Sequence, residues 1–142
     1  MKNYPIIKEV SIPVKSEVIW EALTNPVKMK EWYFEVIDFK LEKGKVFYFY
    51  EPGNAKKFRH ECRIIEIIPN LKFQHTWSFP DYSPGESILT WELNSSDSKT
   101  QIKLTHEGIE NFSNAGSDFA RANFEAGWEE IVTKILVNYL IP

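Results

Sequence analysis

At 142 residues the chain has the length of one domain, able to bury about 70% of its unfolded surface. A net charge of −3, with both signs interspersed, leaves no basic face for nucleic acid, and no apolar window is long enough for a membrane-spanning helix. Ten Phe, six Tyr and five Trp are a heavy aromatic load within an ordinary apolar content of 43%, so rings must line a core or a pocket. The lone Cys62 excludes an internal disulfide and fits a reducing compartment. The stretch MKNYPIIKEV has Pro5 and no apolar leader segment, so a cytoplasmic location is expected.

In chain order, IIKEVSI (6–12) reads as a strand ended by Pro13. Ser16 has the chemistry of a helix cap, and Val18, Ile19, Ala22 and Leu23 follow a helical period. Thr24-Asn25-Pro26 stops that helix, and Pro26 suits the first turn of a second one leading to Trp32-Tyr33-Phe34. From residue 35 the period becomes two. EVIDFKL, KVFYFYE, FRHECRIIEII, KFQHTWSF, SILTWEL and TQIKLTH read as strands, with turn-like separators that include PGNAKK and PDYSPGE. Phe73, His75, Trp77 and Phe79 share one face, as do Leu89, Trp91 and Leu93, and then Ile102, Leu104 and His106. Polar residues occupy the other face. Between 58 and 68 the apolar parity switches, which predicts a bulge near Ile64-Ile65 and leaves the direction of His60 and Cys62 open. Phe124, Trp128, Ile131, Ile135 and Tyr139, widened by Val132 and Leu136, form the apolar stripe of a long C-terminal helix.

This order, together with VIWEALTNP…EWY (18–33), IIEIIPNLKFQHTW (64–77), LTHEG (104–108) and NFEAGWEEI (123–131), resembles the helix-grip superfamily of START and birch-pollen-allergen domains (SRPBCC). Within it the chain is similar to the family of homologues of the activator of heat-shock protein 90 ATPase, a stress-response family. The resemblance implies an α+β helix-grip fold over residues 1–142. Its parts are a seven-stranded curved antiparallel sheet around a long C-terminal helix, two short helices after the first strand, and a cavity between sheet and helix. The family commonly has glycine where Cys62 and Lys45 stand, so the cavity floor is expected to be reshaped here. Relatives in the superfamily bind or carry lipids, sterols and polyketides, act as cyclases, or assist a chaperone; a shared fold does not transmit an activity.

The chemistry is sparse. His60, Cys62, His75 and His106 could in principle ligate a metal, but no metal-binding string supports this, and core or rim histidines are the expectation. Cys62 lies in mid-strand without a cationic neighbour, and the strand carboxylates show no catalytic pairing. No cofactor, metal or catalytic residue is therefore assigned. The rings remain. Trp32, Phe34, Phe47, Phe49, His75, Trp77, Trp91, His106, Phe124 and Trp128 are expected around one ligand cavity, with His75 or His106 bonding a polar tip and Gly127 keeping the space open. The expected function is a cytoplasmic, non-enzymatic binding domain for a small hydrophobic or aromatic molecule. A chaperone-associated interaction domain is the alternative, and a cyclase- or hydrolase-type enzyme the third reading.

Overall fold

Alternating large apolar and polar residues can bury one side of a strand only by joining a sheet with one covered face. The computed structural model describes residues 4–50 and 59–142. In it β1 (Ile6–Ile12), β2 (Val46–Tyr50), β3 (Arg59–Ile68), β4 (Lys72–Ser78), β5 (Glu86–Ser96) and β6 (Lys99–Glu107) form one antiparallel sheet, in the order β1-β6-β5-β4-β3-β2. Strands β2 to β6 are a meander. Only β1 is placed at long range, against β6, with Ile6 opposite His106 and Ile12 opposite Thr100. The expected turn at 52–57 and Phe58 lie outside the described residues.

Among the described residues the sheet has six strands rather than the expected seven, because residues 35–41 do not form one. Asp38 sits at φ 61°, in the left-handed region that an extended strand cannot contain. Only Ile37 pairs: its N–H donates to the Tyr48 carbonyl at 2.7 Å, and its own carbonyl accepts from the Tyr48 N–H at 3.0 Å.

The bulge in β3 is present, between Ile64 and Glu66. It restores an inward direction to His60, Cys62 and Ile64 while Ile65 and Ile67 are left half-buried. On the outer face the Thr76 hydroxyl accepts from the Arg63 N–H at 2.8 Å. The Ser78 hydroxyl donates to the Glu61 carbonyl at 3.0 Å. These side chains satisfy backbone groups where the ladder is irregular.

Helices α1 (Ser16–Thr24) and α2 (Pro26–Trp32) follow β1. Ser16 is the first helical residue rather than the cap; Lys15 holds the cap position, and the Ser16 hydroxyl donates to Glu17 Oε1 at 2.9 Å. Asn25 does cap α2, its Oδ1 accepting from the Val27 N–H at 2.9 Å, with Pro26 in the first turn. The Trp32 indole N–H donates to the Ala22 carbonyl at 2.8 Å and ties α2 to α1.

After two 3-10 segments (Ile109–Ala115 and Ser117–Phe119), α3 (Arg121–Glu130), a π-helical turn (Ile131–Ile135) and α4 (Leu136–Leu140) run on as one helix. Within the π turn the Thr133 hydroxyl donates to the Glu129 carbonyl at 2.5 Å, a back-bond that competes with the helical ladder. The wider turn re-phases the stripe. Trp128, Val132 and Leu136 are buried, whereas Ile135 is 37% exposed and Phe124, Ile131 and Tyr139 are only half-buried. The start of the helix is pinned to β1. Lys8 Nζ lies 3.6 Å from Glu125 and 3.2 Å from Glu129, and the Arg121 guanidinium donates to the Tyr4 carbonyl at 2.7 Å. At the far end the Tyr139 hydroxyl donates to Glu31 Oε1 at 2.5 Å, which joins α4 to α2.

One glycine is required by close approach. A Cβ on Gly85 would stand 2.2 Å from the Asn111 carbonyl oxygen, so the loop before β5 can cross the 3-10 segment only without a side chain.

Candidate functional site

The covered face of β2–β6 gathers the aromatic residues into one continuous interior. Phe49 stacks on Phe34 at 4.4 Å and meets Trp77 edge-on at 5.3 Å. Phe47 meets His75 at 5.2 Å. Trp77 then contacts Trp128 at 5.3 Å and His106 at 5.4 Å, and Trp91 contacts Trp128 and Trp32, each at 6.3 Å. Phe124 reaches His106 at 5.5 Å. Ten of the eleven residues expected around a cavity are therefore joined in one network of ring contacts. Gly127 is the exception. It is exposed, and a Cβ built on it meets nothing within 4 Å, because it lies on the open side of α3 rather than against the sheet. Gly127→Ala should therefore behave as an ordinary helix substitution and raise stability by about 0.8–1 kcal/mol, read from the denaturant midpoint. A loss of stability would place Gly127 in a crowded position.

Sequence reasoning passed over several members of this interior. His60 stacks on Phe49 at 4.3 Å and packs on Trp77 at 5.0 Å; its direction depended on the bulge. Tyr33 stacks on Trp32 at 4.8 Å and meets Phe34 at a tilt at 4.3 Å. Consecutive helical residues would splay apart, but Tyr33 already departs from helical geometry, at φ −119° and ψ −106°, so the three rings follow one another. The signal was there, as three aromatics immediately after a helix end. Phe79, Phe112 and Phe119 close one end, at 5.0 Å and 4.7 Å from Phe79.

The polar groups in this interior have defined roles. The Trp128 indole N–H donates to His106 Nδ1 at 3.0 Å, and an indole can only donate. His106 Nδ1 therefore carries no proton, and Nε2–H donates to Ser87 Oγ at 2.7 Å, which donates in turn to the Trp77 carbonyl at 3.1 Å. Both ring nitrogens of His106 are thus occupied within the protein, so it is not free to bond the polar tip of a ligand. The chain also runs in the wrong direction for catalysis. A general base must take the serine proton, whereas here the imidazole donates to a serine that is itself buried.

Burial holds His75 and His106 neutral. It lowers His106 from 6.5 to about 3, with His75 and His60 contributing like-charge repulsion. It lowers His75 to about 4, partly opposed by the hydrogen bond from Nδ1–H to the Thr76 carbonyl at 2.8 Å. Burial also pushes the Cys62 thiol and the Tyr33 hydroxyl well above their usual ranges, so neither is ionised near neutral pH.

Besides the Arg59 Nε on β3, two polar atoms of the aromatic interior stand apart among the described residues. The Trp77 indole N–H and the Tyr33 hydroxyl are buried and have no hydrogen-bond partner. Both rings pack against Phe49, Trp77 at 5.3 Å and Tyr33 at 6.2 Å. A buried unsatisfied polar group costs about 1–3 kcal/mol, so each needs an explanation. Among the described residues no three His, Cys, Asp or Glu side chains gather as a metal site would need. No helix there is long and apolar enough to cross a membrane.

A curved antiparallel sheet gripping a long C-terminal helix, with an aromatic interior between them, defines a helix-grip domain. The chain belongs to the family described as activator of Hsp90 ATPase homolog 1-like protein, whose model matches residues 13–140. Several solved structures share the fold. DynU16, from the dynemicin biosynthetic locus, is 21% identical with a TM-score of 0.78; the match covers 98% of this chain but only 48% of that one. CV1439 from Chromobacterium violaceum is 19% identical over 97% of both chains, with a TM-score of 0.79. An HSP90 activator from Plasmodium falciparum is 20% identical over 95% of this chain and 92% of its own, with a TM-score of 0.69. No curated protein sequence matches the chain. At these identities the likeness speaks for the fold alone.

Proposed function

We propose that the protein is a cytoplasmic binding domain that holds a small apolar or aromatic molecule against the inner face of β2–β5. The observation that carries this reading is the pair of unpartnered buried groups, the Trp77 N–H and the Tyr33 hydroxyl, within an interior otherwise built of rings. Apolar walls with a few polar groups left over are what a small-molecule site looks like. A bound molecule that met them would remove a standing cost. Trp32, Phe34, Phe47, Phe49, His75, Trp91, His106, Phe124 and Trp128 supply the surrounding surface.

A second reading is an interaction domain for a chaperone. It draws on the family's description and on the likeness to the Plasmodium HSP90 activator. The two are separated by titrating the purified protein with N-phenyl-1-naphthylamine, a neutral fluorescent probe. The binding reading expects saturable uptake of one probe per chain. It also expects Phe34→Glu, which sets a charge beside Phe49, to abolish uptake at matched folded fraction. Absent or non-saturating uptake would move the assignment to the chaperone partner.

A further inference from the structure

We infer that the molecule held beside Trp77 is uncharged and presents a hydrogen-bond acceptor, such as a carbonyl oxygen, to the Trp77 indole N–H. This rests on the binding reading above and adds the chemistry of the ligand. The Trp77 indole is 4% exposed, packed by Phe49, His60, His106 and Trp128, and its N–H can only donate. Its missing partner must therefore accept. The Tyr33 hydroxyl, also unpartnered, can donate or accept and so adds a second polar contact without narrowing the class.

The charge follows from what the interior lacks. The buried polar side chains among the described residues are threonines, serines and histidines, with no carboxylate, lysine or arginine. Lys8, the cation on the inner side of β1, is engaged by Glu125 and Glu129. Arg121 is engaged by Glu125 and the Tyr4 carbonyl. Arg59 lies over Tyr48 and reaches Asp81, on the outer face. His106 has both nitrogens occupied, and His75 gives Nδ1–H to Thr76. Among the described residues a carboxylate entering this space would find no counter-charge and an ammonium no acid, so either would be buried unpaired at high cost. An aromatic ketone, quinone or similar neutral oxygen compound meets both conditions. A free fatty acid does not.

The test compares three probes of nearly one shape: 2-acetylnaphthalene, 2-ethylnaphthalene and 2-naphthoate. Affinity for each is measured on the unmodified protein and on Trp77→Phe, which keeps a ring and removes the donor. The ketone-over-ethyl preference is expected to fall at least about fivefold in Trp77→Phe, the factor that corresponds to losing one buried hydrogen bond. Naphthoate is expected to bind at least about tenfold more weakly than the ketone. In the unmodified protein the Trp77 indole N–H resonance should move with the ketone and not with the ethyl compound, a readout that does not need the variant to fold. If both neutral probes bind but the preference and the resonance are indifferent to the carbonyl, or naphthoate binds as well as the ketone, the inference is overturned and the binding reading survives. If no probe binds, both fall.

Discussion

Trp128→Ala is expected to lower the unfolding free energy by about 3–5 kcal/mol. A domain of this kind has only about 5–15 kcal/mol in total, so the denaturation midpoint should collapse. The helix meets the sheet through this side chain. Its rings contact Trp77 at 5.3 Å and Trp91 at 6.3 Å, and it is buried among them. Truncation leaves a cavity and also strips His106 Nδ1 of its donor. Trp128→Phe separates these effects. It keeps most of the packing, and its residual loss reports the unpaired imidazole nitrogen, about 1–3 kcal/mol. If Trp128→Ala unfolded at nearly the unmodified midpoint, the helix would not be held by this contact.

The second large effect is with pH. Unfolded histidine titrates near 6.5, whereas the folded protein resists protonating His75 down to about 4 and His106 down to about 3. Between those values the unfolded chain binds more protons, so stability falls as pH falls. The contribution is intact above 6.5 and is lost progressively through about 4 and 3. At roughly 1.36 kcal/mol per unit, the full loss is on the order of 3–5 kcal/mol for each histidine. Glu66 and Glu129, held low by hydrogen bonds from Lys72 and Lys8, add a smaller loss of the same sign at the acid end. Urea midpoints at pH 7, 6, 5 and 4.5 should descend steadily, with a shallower slope in folded His75→Gln. A flat profile from pH 7 to 5 would mean that His75 and His106 are not buried neutral.

Much of the architecture was legible in the sequence because period and burial coincide. In β4 to β6 most inward residues are large and apolar or histidine, with Ser87 and Thr100 the small exceptions near the strand ends, so face and order could be read directly. Where one residue breaks the period, reading failed. Asp38 looks innocuous within EVIDFKL, yet its left-handed backbone turns a strand into the single bridge at Ile37. Thr133 looks like a surface residue, yet the turn it helps to widen moves the helical stripe off Ile135.

The aromatic interior was legible as a list of rings, but its hydrogen-bond partners were not. His75 and His106 were natural candidates for bonding a ligand, because histidine usually supplies that chemistry. Instead His106 is engaged on both nitrogens by Trp128 and Ser87, contacts between separate elements that no local spacing encodes, and His75 gives Nδ1–H to the carbonyl of the next residue, Thr76. The unpartnered polar groups of the interior fall on Trp77, which reads as a core residue, and on Tyr33, which sits between the expected cavity residues Trp32 and Phe34. Gly127 was misplaced for a related reason. A neighbour of a buried tryptophan lies about 100° around the helix, and that angle decides between the packed and open sides.

The most direct measurement is a pair of amide and indole NMR spectra of the protein, without and with saturating N-phenyl-1-naphthylamine. The expected result is that the Trp77 indole N–H and the amides of Phe49, His60 and Trp77 shift together and saturate at one probe per chain. Outer-face amides such as Lys103 and Thr105 should stay in place. Small, unsaturating shifts spread over exposed apolar positions such as Val27 and Leu71, with Trp77 unmoved, would contradict a binding site inside the aromatic interior.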